Sequence, residues 1–165
     1  MKKAGIVVFA FGARENIPPN QLLADIASRR ALRFKAQVYA QRDIPLKHAA
    51  NVEYVEDKNG KPPSTFQIAE GAVGWARRNN LKRIFIVAAK PHLCRCKRDL
   101  TLAFQEAKTA VRISVIRKVE RLPEERWFCP ESIRKCTMYK KNWENREWFV
   151  EHVPFWIYKF FSQLR

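Results

Sequence analysis

One apolar run that is followed by a polar loop constrains the fold of this chain more than any other stretch. Residues 84–89 read Ile-Phe-Ile-Val-Ala-Ala, and the Lys90-Pro91 step that follows is expected to end a strand, because proline has no amide hydrogen for a strand ladder. His92 and Arg95 come directly afterwards. A buried strand that delivers polar side chains at its carboxyl end is typical of α/β proteins with a parallel sheet.

The residues after this loop predict a helix. From Arg95 onwards apolar side chains recur at intervals of three and four, which is the pattern of one buried helix face: Cys96, Leu100, Ala103, Phe104 and Ala107. Arg95 then lies in the first helical turn, and His92 lies on the preceding turn, outside the core. A helix start with a guanidinium and an imidazole favours an anion such as phosphate or carboxylate. The alternative is that His92 caps or packs the loop and Arg95 is a solvated surface charge.

Strands and helices are predicted to alternate over residues 1–118. The expected strands are 6–11, 38–41, 52–55, 84–89 and 111–116, and the expected helices are 21–35, 65–80 and 95–107. Asn20 is the expected cap of the first helix, and Ser64 with Gln67 forms a capping box before the second. This order predicts a three-layer αβα sandwich around a mostly parallel, five-stranded, Rossmann-like sheet, with 111–116 at a solvated edge.

The remaining residues, 119–165, are expected to form a surface-wrapping segment and a C-terminal helix of the same single domain. Between residues 143 and 164 one helical stripe is aromatic and aliphatic, with Pro154 kinking or restarting the helix; the stripe consists of Phe149, Val153, Trp156, Phe160 and Leu164. Docking on the sheet is the expected role of this stripe. The alternative is a membrane-surface helix, because Trp, Phe and Lys are mixed there.

The charge of the chain narrows the classes of partner without choosing one. Its 165 residues carry 32 basic and 16 acidic side chains, a formal net charge of +16 that attracts polyanions, anionic lipid headgroups and small anions. The basic residues are dispersed, which is also typical of a solubilising surface. The sequence contains no recognised nucleic-acid-binding motif. Its aromatic residues gather near the C-terminus instead of alternating with arginines, as sites for base stacking would require.

The N-terminus and the cysteines each allow two interpretations. Two lysines before an apolar run resemble a short signal peptide, but residues 5–11 fit a central strand better and the cleavage site is poor. No apolar run reaches the length of a membrane span. His92 and four cysteines could surround zinc, yet their spacing differs from that of common structural sites, so we predict no metal site; the cysteines are Cys94, Cys96, Cys129 and Cys136.

Four segments resemble the YdcF/SanA-type family, a Rossmann-like domain family without an established general reaction. Residues 6–12 are similar to its first strand, 64–69 to its serine/threonine-rich loop and middle helix, 87–95 to its histidine–arginine loop, and 142–148 to the arginine–glutamate pair of its last helix. Departures are a single glycine after the first strand, Gln-Arg-Asp at 41–43 in place of a serine–glycine turn, and Ile68 in place of an asparagine. The resemblance implies a link to bacterial envelope processes and S-adenosylmethionine as a candidate ligand. We expect a bacterial protein that is cytoplasmic or membrane-peripheral.

The leading hypothesis is a site for a small anionic or nucleotide-like ligand at the carboxyl ends of the first, second and fourth strands. Its ligand-binding residues are predicted to be Gly12, Arg14, Asn16, Gln41, Arg42, Ser64, Thr65, His92 and Arg95. If the site is catalytic, His92 is the candidate acid or base and Asp43 the carboxylate that pairs with it. Hydrolysis or group transfer at a phosphate or an activated ester would fit, although no nucleophile motif is present. The alternative is a non-enzymatic basic module that binds nucleic acid or a membrane surface.

Overall fold

A computed structural model describes residues 3–12, 17–47, 49, 51–55, 62–128, 145, 147–150 and 152–163. Five strands are present in this part of the chain: β1 Ala4–Val8, β2 Gln37–Ala40, β3 Val52–Tyr54, β4 Arg83–Val87 and β5 Arg112–Val115. Its helices are α1 Pro18–Phe34, α2 Thr65–Arg78, α3 Lys90–Glu106, α4 Arg117–Arg121 and α5 Phe155–Gln163, with a 3-10 turn at Glu124–Arg126.

The strands form one fully parallel sheet in the order β3-β2-β1-β4-β5. In the central strand Gly5 lies opposite Gln37 on one side and Ile84 on the other. β5 is an edge strand with partly exposed side chains. The predicted α/β class, the parallel five-stranded sheet and the edge position of β5 are therefore confirmed, and all carboxyl ends meet at one edge of the sheet.

Two hydrophobic cores cover the two faces of the sheet. Val7 and Phe9 point toward α2 and α3, whereas Ile6 and Val8 point toward α1 and α4. This alternation follows from the two-residue period of a strand. Each fully buried side chain of this size contributes about 1.5–3 kcal/mol of hydrophobic stabilisation, so a sheet covered on both faces accounts for the continuous apolar runs in the sequence.

Helix starts were predicted with mixed success. The capping box before α2 is confirmed, since Ser64 Oγ accepts from the Gln67 amide and the Gln67 side chain accepts from the Ser64 amide. The predicted start of α1 after Asn20 is wrong. α1 begins at Pro18, because proline is preorganised for the first turn of a helix. The Asn20 Oδ1 instead accepts a 2.8 Å hydrogen bond from the Phe11 amide and fixes the chain after β1.

The C-terminal helix docks through a different face from the one predicted. Phe155 and Tyr158 pack against the core beneath α2 and α3, and Phe155 meets the Phe66 ring edge-on at 5.4 Å. The predicted docking stripe points to solvent instead, with exposed fractions of 62% for Phe149, 73% for Trp156 and 59% for Phe160. The stripe fails because the helix restarts after Pro154, so the register of residues 147–150 does not continue into α5. Leu164 lies outside the described residues.

Two glycines of α2 give a matched test of this packing. A methyl group on Gly71 would overlap the Tyr39 hydroxyl, and the Tyr39 ring is held in a stack on Trp75 at 5.3 Å. A methyl on Gly74 would meet only the Arg78 guanidinium, at 3.4 Å. We expect Gly71→Ala to lower the free energy of unfolding by about 1–3 kcal/mol through overpacking. Gly74→Ala is expected to raise it by about 0.5–1 kcal/mol.

Urea unfolding of both variants measures the two effects in one helix. Equal effects of the two substitutions would contradict the close approach of α2 to the sheet at Gly71.

Candidate functional site

His92 and Arg95 lie inside α3 and are buried, each with an exposed fraction of 4%. The helix begins at Lys90, so Pro91 ends the extended run and also lies in the first turn of the helix. Amide hydrogens in a first turn have no acceptor within the helix, so proline costs no hydrogen bond there. The expectation that His92 lies on a turn outside the core is wrong, and so is the alternative of Arg95 as a solvated charge. Both side chains are held within the protein.

Three side chains surround the His92 ring. The Thr65 hydroxyl lies 3.4 Å from Nε2, the Arg95 Nη2 lies 3.1 Å from Nδ1, and the Glu147 Oε2 lies 3.8 Å from Nδ1. The Arg95 guanidinium can only donate, so in the neutral imidazole Nδ1 is the acceptor and Nε2 carries the proton toward Thr65. We call these four residues, Thr65, His92, Arg95 and Glu147, the His92 cluster.

Arg95 and Glu147 form a buried ion pair. Their Nη2 and Oε1 atoms are 3.1 Å apart, and their side chains have exposed fractions of 5% and 9%. Removing one partner of such a pair costs about 3–5 kcal/mol, because an uncompensated charge remains buried. Glu147 was not among the predicted site residues. The sequence signal for it was its place in the arginine–glutamate pair of segment 142–148.

A second polar connection ties α5 to α3. The Tyr158 hydroxyl donates to Asp99 Oδ2 at 2.6 Å, and Arg98 Nε donates to Asp99 Oδ1 at 3.0 Å. The Arg98 guanidinium also lies 4.8 Å from the centre of the Tyr158 ring and donates to the Val150 carbonyl at 3.0 Å. Burial raises the pKa of the Asp99 carboxyl, and burial together with the neighbouring Asp99 raises the pKa of Tyr158. No pattern in the sequence predicts this connection.

A cavity of about 230 Å³ opens between the start of α2, α3 and the C-terminal segment. It is lined by Ser64, Thr65, Arg95, Val150, Tyr158, Phe161 and Ser162. Among these lining residues Arg95 carries a charge, and the hydroxyl groups of Ser64 and Thr65 stand at the first turn of α2. The cavity thus combines a buried cation, hydroxyl groups and a helix start with an aromatic wall.

The other predicted ligand residues follow β1 and β2. Gly12 has a φ of 81°, a conformation that favours glycine. The Gln41 side chain is buried and accepts a 2.7 Å hydrogen bond from the Ala10 amide, so it holds the end of β1. Arg42 is exposed and Asp43 half-buried in the turn after β2. Arg14 and Asn16 lie outside the described residues.

The structure therefore brings Ser64, Thr65, His92 and Arg95 together. That the residues after β1 and β2 share one ligand site with them stays a prediction, as does the pairing of Asp43 with His92. The carboxylate beside His92 Nδ1 is Glu147, at 3.8 Å.

A larger cavity of about 590 Å³ lies at the opposite edge of the sheet, where β4 and β5 begin. It is lined by Lys82, Arg83, Ala110, Val111 and Arg112. Its cationic side chains are exposed to solvent. Exposed charges bind anions weakly because water and salt screen them, so this cavity serves below as a comparison for the buried site.

Within the part of the chain that the structure describes, no group of three or more His, Cys, Asp or Glu side chains is placed to hold a metal ion. Cys96 is fully buried in the core beside α2, and burial raises the pKa of its thiol, so it packs as a small apolar residue. Cys94 is exposed. Cys129 and Cys136 lie outside the described residues.

The Tyr158–Asp99 hydrogen bond predicts a loss of stability in Tyr158→Phe. The substitution leaves a buried carboxylate oxygen without its donor, so we expect the free energy of unfolding to fall by about 1–3 kcal/mol. Tyr54→Phe on the edge strand β3 is the control, with an expected change below about 0.5 kcal/mol. Urea unfolding compares them, and equal small losses would show that the hydrogen bond does not hold α5.

The raised pKa of Asp99 predicts the pH dependence of stability. Because burial favours the protonated carboxyl in the folded protein, this contribution is fully present below the ordinary pKa of Asp, about 3.9, and is lost as the pH rises through the raised pKa. Asp99→Asn does not titrate. The stability of the wild type relative to Asp99→Asn should therefore fall as the pH rises above about 4. Unfolding titrations at a series of pH values measure this difference, and a rise with pH would contradict the burial of Asp99.

No family model matches the sequence, and no curated protein matches it. The chain is similar in structure to the universal stress protein from Archaeoglobus fulgidus, solved in complex with dAMP, at 17% sequence identity and a TM-score of 0.40, over 70% of this chain and 99% of that chain. A likeness of this degree does not extend to a ligand. None of the helices formed by the described residues has the length and apolar character needed to cross a bilayer.

Proposed function

We propose that the cavity beside the His92 cluster binds a small anion, either inorganic phosphate or the phosphate or carboxylate end of a larger ligand. The observation that carries this proposal is the Arg95 guanidinium, which is buried and yet lines the cavity next to the hydroxyl groups at the start of α2. A guanidinium in a site of restricted solvent access forms strong, directional hydrogen bonds with phosphate and carboxylate oxygens.

The start of α2 supports the same ligand class. Ser64 is the N-cap and Thr65 the first helical residue, so the positive end of the helix dipole lies close to the cavity. When Nε2 of the neutral His92 ring donates to Thr65 Oγ1, the hydroxyl hydrogen of Thr65 can donate to a ligand. The net charge of +16 adds a long-range field that draws anions to the surface.

The size of the cavity favours a small anion over an enclosed nucleotide. The volume of the cavity is about 230 Å³. Sites that enclose drug-sized ligands measure roughly 300–1,000 Å³. A nucleotide-like ligand would therefore place its phosphate at Arg95 and extend the rest of the molecule past the aromatic wall.

Glu147 is proposed to limit the affinity of the site. Its carboxylate already pairs with the Arg95 guanidinium at 3.1 Å, so a bound anion has to share that charge with it. The guanidinium has five donors and can serve both partners. Glu147 thus orients Arg95 and at the same time weakens the attraction of Arg95 for a second negative group.

Binding is better supported than catalysis. Both ring nitrogens of His92 face partners, Thr65 on one side and Arg95 with Glu147 on the other, so we assign His92 a positioning role. A role for His92 as acid or base, a hydrolase or transferase reaction, the relation to the YdcF/SanA-type family and its S-adenosylmethionine ligand all stay predictions. No observation favours nucleic acid as the ligand.

Two substitutions with opposite expected effects test the proposal, with inorganic phosphate as the probe. Glu147→Gln keeps the shape and removes the competing charge, so it should tighten phosphate binding about tenfold, equivalent to about 1.4 kcal/mol. Thr65→Val removes a donor and should weaken binding by a similar factor. Isothermal titration calorimetry at constant low ionic strength measures both.

The controls are Thr101→Val on α3 and Arg112→Gln in the large exposed cavity, which should leave the binding constant unchanged. Equal phosphate affinity in the wild type, Glu147→Gln and Thr65→Val would exclude the cavity as the binding site. A loss of binding in Arg112→Gln alone would place the anion at the opposite edge of the sheet.

A further inference from the structure

The C-terminal segment exposes five large aromatic side chains. Their exposed fractions are 63% for Trp148, 62% for Phe149, 73% for Trp156, 59% for Phe160 and 63% for Phe161. We call this set the aromatic face. Fully buried aromatic side chains cover about 150–250 Å² each, so these five present roughly 500–800 Å² of mostly apolar surface. The largest apolar patch on a typical monomer is about 300–600 Å² and is often functional, so five exposed aromatic side chains in one short segment point to a binding surface.

The aromatic face belongs to a segment that is already docked. Phe155 and Tyr158 pack on the core beneath α2 and α3, Tyr158 binds Asp99, and Glu147 pairs with Arg95. These inward contacts use the other residues of the segment. The exposed aromatics are therefore the large apolar side chains that remain at the surface when the segment is docked.

We propose that the aromatic face binds the surface of an anionic lipid bilayer, with α5 lying in the plane of the interface. Tryptophan and phenylalanine favour the boundary between headgroups and acyl chains, and helices that bind there combine such residues with basic ones. The chain carries a net charge of +16. Each basic residue near an anionic bilayer contributes about 1 kcal/mol of attraction.

The charge of the whole chain distinguishes a bilayer from a second copy of the protein. Two molecules of net charge +16 repel each other, whereas an anionic bilayer attracts each of them. Charge complementarity thus favours the lipid surface as the occupant of the aromatic face. This inference does not rest on anion binding in the cavity, although Phe161 belongs to the aromatic face and also lines the cavity.

Vesicle co-sedimentation tests the inference with the full chain. We expect the wild type to bind vesicles of phosphatidylcholine mixed with phosphatidylglycerol. Its affinity for vesicles of pure phosphatidylcholine should be about tenfold lower. The double variant Trp156→Ser, Phe160→Ser should bind the mixed vesicles about tenfold less than the wild type. Both residues are exposed, and thermal unfolding confirms that the variant folds.

Leu32→Ser is the matched control, because Leu32 is 60% exposed on α1, which covers the opposite face of the sheet. It should bind vesicles like the wild type. Equal binding of the wild type and the Trp156→Ser, Phe160→Ser variant would assign the attraction to the basic surface alone and overturn the proposal. Analytical ultracentrifugation tests the alternative of a second copy. If the wild type does not bind the vesicles but forms dimers, and the double variant is monomeric, the proposal is overturned in favour of a second copy.

Discussion

The buried ion pair between Arg95 and Glu147 is the interaction on which the rest of this structure depends. It joins the second turn of α3 to a C-terminal segment that lies 52 residues further along the chain, and it lies against His92. An arginine in an apolar interior requires a negative partner, because an unpaired buried charge costs several kcal/mol. The C-terminal segment supplies that partner, and in docking it also closes one side of the cavity and turns its remaining aromatic residues outward.

The parallel sheet explains why the polar side chains of α2 and α3 gather at one edge of the sheet. All five strands run in the same direction, so the helices that follow β3 and β4 begin at the same edge of the sheet. α2 brings the hydroxyl groups of Ser64 and Thr65 to that edge, and α3 brings His92 and Arg95. The open crevice at the carboxyl ends of parallel strands is where α/β proteins bind ligands. Here α5 narrows the crevice to a small cavity.

Local patterns in the sequence were sufficient to predict the sheet and three of the four residues of the His92 cluster. The apolar runs, the Ser64–Gln67 capping box and the topology of alternating strands and helices predicted that Thr65, His92 and Arg95 meet, because topology alone brings helix starts together. The start of α3 was missed, since Pro91 can either end a strand or begin a helix and only packing decides between them. The burial of Arg95 depends on a glutamate distant in sequence, which no local pattern reveals. The aromatic stripe was misjudged because the restart after Pro154 changes which residues face inward.

A double-mutant cycle on Arg95 and Glu147 tests the central claim most directly, with the free energy of unfolding in urea as the readout. Arg95→Met and Glu147→Leu should each destabilise the protein by about 3–5 kcal/mol, because each breaks the buried ion pair by removing one of its partners. The double variant should lose much less than the sum of the two, since it removes both charges. Losses that add, with small effects of the single substitutions, would show that the pair is not buried and does not hold the C-terminal segment in place.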